Sequence, residues 1–173
     1  MKKLFFLLGL VLALPALAAQ AQDQRSWELL VIDKDPNGTN LRDAPSGKVL
    51  KTIANPGDTT LRLVSASGAS KGWFKVEAEG QSGWMHGSVL GICSDATEDG
   101  EPRLHKGPKD DQGFGPRLAY GSPLTPLDMK GTWLKVRYVD AKGKSLEGWL
   151  PEQTLSLGEG GLESCAAAWA KRK

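Results

Sequence analysis

The chain is poor in the side chains that most enzyme and metal chemistry needs. It holds only two histidines, His86 and His105, and two cysteines, Cys93 and Cys165. No CxxC, no HxxxH and no regular carboxylate–glycine loop occurs, so no metal-binding pattern is present and no cofactor is expected. Neither cysteine has a basic neighbour that would mark an activated thiolate. A convincing helical period is missing from the body of the sequence. Long apolar runs are missing too: Leu4–Leu14 is about half of the ~20 residues that a membrane helix needs.

That one run has a different meaning. Lys2 and Lys3 precede it, Pro15 breaks it, and Ala19-Gln20-Ala21 supplies the small residues that signal peptidase accepts. Residues 1–21 therefore read as a secretory signal, with Ala16-Leu17-Ala18 as a second possible cleavage point. No cysteine follows either point, which gives no support to lipid attachment. Cleavage removes Lys2 and Lys3 and no acid, taking 22 basic residues to 20 against 20 acidic ones, a formal charge of zero. A neutral chain exerts no long-range pull on nucleic acid or anionic lipid. The expectation is an exported protein, periplasmic or extracellular, with no integral span after cleavage and no nucleic-acid partner.

Export to an oxidising compartment makes a Cys93–Cys165 disulfide the default. Two free thiols, or pairing with another chain, are the alternatives, and oligomeric state stays open.

The remaining sequence is written twice. Asn40–Pro45 aligns with Arg103–Pro108, and Gly57–Leu63 with Gly121–Leu127. Gly72-Trp73-Phe74-Lys75-Val76 aligns with Thr132-Trp133-Leu134-Lys135-Val136, and Gly83-Trp84-Met85-His86 with Gly148-Trp149-Leu150-Pro151. Each copy reads as short strands. Glu28–Ile32 and Thr60–Val64 are strand-like, Asp35-Pro36-Asn37-Gly38 is a turn, and Ser65–Gly72 reads as a small-residue loop. Trp73–Ala78 and Trp133–Val139 alternate cleanly, with Glu79–Ser82 and Asp140–Lys144 as hairpin loops. Many short strands with frequent glycine predict an all-β barrel or sandwich.

Leu41-Arg42-Asp43-Ala44-Pro45, then Gly57-Asp58, Gly72–Val76 and Gly83–Leu90, resembles a bacterial SH3 (SH3b) domain. The second copy departs from that pattern. His105 and Lys106 replace Arg42 and Asp43, Thr132 replaces Gly72, and Gln112–Leu118 carries Phe114 and Pro116 in place of an apolar strand. The resemblance implies two tandem small SH3-like β-barrels: a first domain at 22–92, a linker at 93–101, a second domain at 102–158 and a tail at 159–173. It also implies cell-envelope targeting, with peptidoglycan or an extended peptide as ligand. A periplasmic protein–protein adaptor with no cell-wall contact is the alternative.

The candidate residues follow from pattern and resemblance together. With Phe74, Val76 and Ala78 facing a core, Trp73 faces the other side beside Lys75 and Glu77, and Trp133 holds the same place in the second copy. Such a tryptophan offers a flat apolar face and an N–H donor; it can equally cover a barrel end. Arg42 and Asp43 lie in the loop that borders the groove in SH3b domains; a loop salt bridge is the simpler reading. His86 and Ser88 become Pro151 and Gln153 in the second copy. Without an orienting third group or an oxyanion hole the pair is not a catalytic one, so no enzyme is expected and His86 is taken as a groove-rim residue. His105 reads as a lone solvated histidine. The acidic cluster Asp95, Glu98, Asp99 and Glu101 reads as solvated linker, Lys109-Asp110-Asp111 as loop. The tail Ala166–Lys173 reads as a frayed helix placing Trp169 on the second copy.

Overall fold

The computed structural model describes residues 26–55, 62–156 and 159–172. The expected signal segment 1–21 and the expected turn at Gly57-Asp58 lie outside the described residues. Among the described residues the expected all-β class is adopted, with ten strands and one short helix. The strands are β1 (Trp27–Val31), β2 (Thr39–Arg42), β3 (Val49–Ile53), β4 (Leu63–Ser70), β5 (Trp73–Ala78), β6 (Gln81–His86), β7 (Leu90–Cys93), β8 (Pro123–Lys130), β9 (Trp133–Val139) and β10 (Ser145–Pro151). A 3-10 turn at Gly87–Val89 leads into β7, another follows β10 at Glu152–Thr154, and α1 spans Glu159–Ala170.

All ten strands join one antiparallel sheet in the order β10-β9-β8-β7-β1-β4-β5-β6-β2-β3. The written repeat is visible in its pairing. β4 pairs with β5 and β5 with β6, as β8 pairs with β9 and β9 with β10. Both β4 and β8 slip register at the same place, between Ala66 and Gly68 and between Pro126 and Asp128. Arg42 bridges Trp84, and His105 bridges Trp149.

The hairpin turns show how one pattern tolerates two sequences. Lys71 and Gly72 both have positive φ, 50° and 81°, the pattern of a type I′ turn. Thr132 cannot take Gly72's conformation without strain, and the second copy keeps positive φ only at the first turn position, Gly131 at 58°. That glycine-first order fits a type II′ turn.

Where the two copies meet, they share a strand. β7 pairs with β1 at Leu90 and Gly91, and with β8 at Ile92 and Cys93. Ser94 continues the line by bridging Leu155. The connection expected at 93–101 therefore begins inside the sheet. Cys93 and Ser94 are fully buried, and Ser94 Oγ donates to Ala119 O at 2.7 Å. Glu98, Asp99 and Glu101 are solvent-exposed.

One expectation fails and another shifts. Ser65–Ser70 is strand, not loop: Ser65 and Ala66 lie opposite Glu77 and Val76, and Ala66 is fully buried. Small residues are poor strand formers alone, but tertiary pairing decides. The expected tail helix is present but starts earlier, at Glu159, and Trp169 docks on the shared β7, while Arg172 reaches the second copy by donating from Nη2 to Val139 O at 3.0 Å. Trp169 Nε1 donates to Ile92 O at 3.2 Å, and the indole ring stands where a Cβ on Gly91 would lie.

One core runs through both copies. Leu29, Leu41, Phe74 and Met85 from the first cluster with Leu104, Leu124, Leu134 and Leu150 from the second, all fully buried. Full burial of a Leu, Met or Phe side chain is worth roughly 1.5–3 kcal/mol each. A second cluster gathers Leu30, Cys93, Leu162 and Cys165, where the Cys93–Cys165 disulfide ties α1 to the shared strand. The expected pairing is thus present within one chain.

Candidate functional site

Alternation places the tryptophans. In β5 Phe74, Val76 and Ala78 are buried, Lys75 and Glu77 are exposed, and Trp73 is half-buried on their side. In β9 Leu134 and Val136 are buried and Trp133 is half-buried. Each tryptophan begins its strand just after the hairpin turn, so its ring borders the sheet end.

Around Trp73 the fold assembles three of the sequence candidates. His86 lies opposite it in the β5–β6 ladder, its ring edge-on to the indole with centroids 5.1 Å apart and an interplanar angle of 68°. The Arg42 guanidinium stands 6.0 Å from the indole centroid, at the outer reach of a cation–π contact. Arg42 also donates from Nη1 to Gly47 O at 2.7 Å, which ties the side chain to its own loop. Asp43 does not join this group. It is exposed, and its carboxylate sits over Gly47, where a side chain would collide with Oδ1. No Arg42–Asp43 salt bridge forms.

His86 has a structural duty as well. Its Nδ1 accepts the Ser88 backbone N–H at 3.2 Å and lies 2.8 Å from Ser88 Oγ, capping the 3-10 turn. Accepting at Nδ1 leaves the proton of a neutral ring on Nε2. That nitrogen faces Gly72.

The second copy rebuilds the aromatic pair from a different residue. His105 lies edge-on to Trp133 with centroids again 5.1 Å apart, at 76°. It comes from the Arg42 position of the repeat, while Pro151 fills the His86 position. His105 is not the solvated residue expected: its side chain is 15 % exposed, and Nδ1 sits 2.9 Å from Asp111 Oδ1. The backbone N–H of Gly113 beside Asp111 holds that carboxyl below its usual range, with further lowering from the Lys106 N–H and the His105 ring. Trp73 and Trp133 thus sit in related but unequal settings, one beside His86 and the Arg42 guanidinium and one beside His105 with the Asp111 carboxylate. Trp84 and Trp149 are half-buried in mid-ladder, opposite Lys75 and Lys135.

The sequence reading missed His105 because its partners are non-local. Asp111 lies six residues away across an irregular loop, and Trp133 lies 28 residues away. The repeat alignment held the available signal, since it places His105 on Arg42. A cleft of about 510 Å³ beside His105 was also missed; Thr97 and Arg103 from the connection, and Asp110, Asp111 and Arg117 from the loop after it, are among the residues that line it. Among the described residues no three His, Cys, Asp or Glu side chains gather to hold a metal ion. No helix among them is long and apolar enough to cross a membrane.

No family model matches this sequence, and no curated protein matches it. Among solved structures, NlpC1 from Trichomonas vaginalis is similar at a TM-score of 0.33 and 14 % identity, over 81 % of this chain and 49 % of that one. The chain spans about half the length of that protein. A TM-score this low assigns neither fold nor activity.

Proposed function

We propose that the chain is an exported, non-catalytic cell-envelope binding protein built of two SH3b-like units, which recognises peptidoglycan or an extended peptide through the faces around Trp73 and Trp133. The supporting observation is the repeated half-buried tryptophan with a histidine edge-on to it, at equivalent strand starts of one sheet. An indole of this kind gives a flat apolar contact and an N–H donor, and Arg42 or His105 supplies a polar neighbour. Because the copies share β7 and one core, the two faces keep a fixed separation. Two weak contacts held in one geometry add by avidity when one ligand spans both.

Retention of the mature chain on purified sacculi tests this reading. Binding at low salt that falls on replacing Trp73 and Trp133 by alanine supports it; free passage of the wild-type chain removes it. One observation favours the adaptor reading instead. β3 is an edge strand whose Val49 and Leu50 are 46 % and 47 % exposed, and such an edge accepts a partner strand. A chain that ignores sacculi but captures a strand-forming partner at β3 belongs to that second class.

A further inference from the structure

The cleft beside His105 makes no use of Trp73, and its chemistry points elsewhere. Its volume of about 510 Å³ falls within the ~300–1,000 Å³ of small-molecule sites. Buried Pro151 and Thr154 line it alongside the two chain segments. Residues of both charges line it: Arg103 and Arg117, and Asp99, Glu101 and Asp110, beside the Asp111–His105 pair.

These charges do not neutralise one another. Among the described residues neither arginine forms an ion pair, although opposite charges share the same small space. Arg117 instead donates from Nη1 to Glu101 O at 3.0 Å. His105 and Asp111, by contrast, pair with each other and are already satisfied. Three ligand classes are disfavoured by this layout. A metal ion needs convergent ligands, and none gather here. A polyanion meets Asp99, Glu101 and Asp110, and a polycation meets two guanidiniums. A small molecule carrying both signs meets complementary groups at both ends.

We propose that this cleft binds a compact zwitterion of the amino-acid or dipeptide class, its carboxylate taken by Arg103 and Arg117 and its ammonium by Asp99 and Asp110. The cleft borders the Trp133 face through His105 but shares no residue with the Trp73 face, and the zwitterion titration below reads it independently of sacculus binding.

The test is a titration of the ¹⁵N-labelled mature chain with glycylglycine, with N-acetylglycine as the carboxylate-only probe and glycinamide as the ammonium-only probe. The amides of Gly100 and Gly113, which line the cleft, report binding. Saturable shifts with glycylglycine are expected, with half-saturation roughly tenfold higher for each single-charge probe, because either loses one set of charge-assisted contacts. The exposed double variant Arg103→Gln/Arg117→Gln should abolish the preference for glycylglycine over glycinamide, and Asp110→Asn should narrow that over N-acetylglycine. Trp73→Ala should leave all three titrations unchanged. Equal half-saturation for the three probes, or no saturable shift with glycylglycine, would overturn the proposal.

Discussion

Removing the Cys93–Cys165 bond is the perturbation whose size follows most directly from the fold. The bond closes 72 residues of chain. The loop-entropy relation assigns such a closure roughly 4 kcal/mol at 25 °C. Both cysteines are fully buried against Leu30 and Leu162, so serine replacements would add the cost of buried hydroxyls, about 1–3 kcal/mol if unpaired. The alanine pair Cys93→Ala/Cys165→Ala avoids that term and leaves the cross-link plus a small cavity. The expected loss is about 4 kcal/mol, a large share of the ~5–15 kcal/mol that stabilises a typical domain. Urea unfolding of the wild-type and double-alanine chains, followed by tryptophan fluorescence, measures it. Amide exchange adds the location: α1 should open first, because Trp169 and Leu162 then hold it without a covalent tie. A loss below about 1 kcal/mol at unchanged urea dependence would refute the reasoning. It would mean that the helix already restricts the unfolded chain, or that the closure relation does not apply here.

Three further outcomes are expected. Gly83→Ala would place a Cβ 2.6 Å from Leu41 Cγ and 2.9 Å from Arg42 O, and Gly148→Ala one 2.7 Å from Leu104 Cβ and 2.9 Å from His105 O; each should cost about 1–3 kcal/mol in urea unfolding, whereas a neutral result at either would break the equivalence of the copies. Gly87→Ala drives a Cβ into Pro126 O and to 3.2 Å from Phe74 Cε2, so it should destabilise the whole chain in one transition, and a biphasic curve would show that the halves unfold separately. Asp111 titrates below its usual value, chiefly through the Gly113 N–H, so its contribution is present above the unfolded carboxylate pKa of about 4 and is lost as pH falls through the lower folded value. Asp111→Asn should therefore flatten the acid limb of a stability–pH curve, and an unchanged limb would remove this role.

What could be read from the chain depended on whether the signal was local. Trp73–Ala78 and Trp133–Val139 announced themselves by alternation, and the structure buries the residues that the pattern assigned inward. The disulfide followed from the cysteine count together with the expectation of export. The Ser65–Ser70 part of β4 was hidden, because Ser65, Ala66 and Gly68 have little strand preference and are held by pairing with β5. Its counterpart β8 carries two prolines, with Pro126 at the register slip where a missing N–H is tolerated. The shared use of β7 was also hidden, since Leu90–Cys93 looks like the end of one unit and nothing local says it begins the next. At the candidate site, Trp73, His86 and Arg42 were legible as a group, while Asp43 turned away because Gly47 gives its carboxylate room. His105 needed both Trp133 and Asp111 to be understood, and neither neighbours it in sequence.

The central claim is that the two tryptophan faces hold this protein to the cell envelope. Co-sedimentation of the mature chain with purified sacculi at low salt tests it most directly, with Trp73→Ala/Trp133→Ala as comparison after its urea midpoint confirms a folded state. The account predicts that the wild-type chain sediments with the sacculi and that the folded double variant stays in solution. Wild-type chain left in solution, or a double variant that sediments equally well, would contradict it.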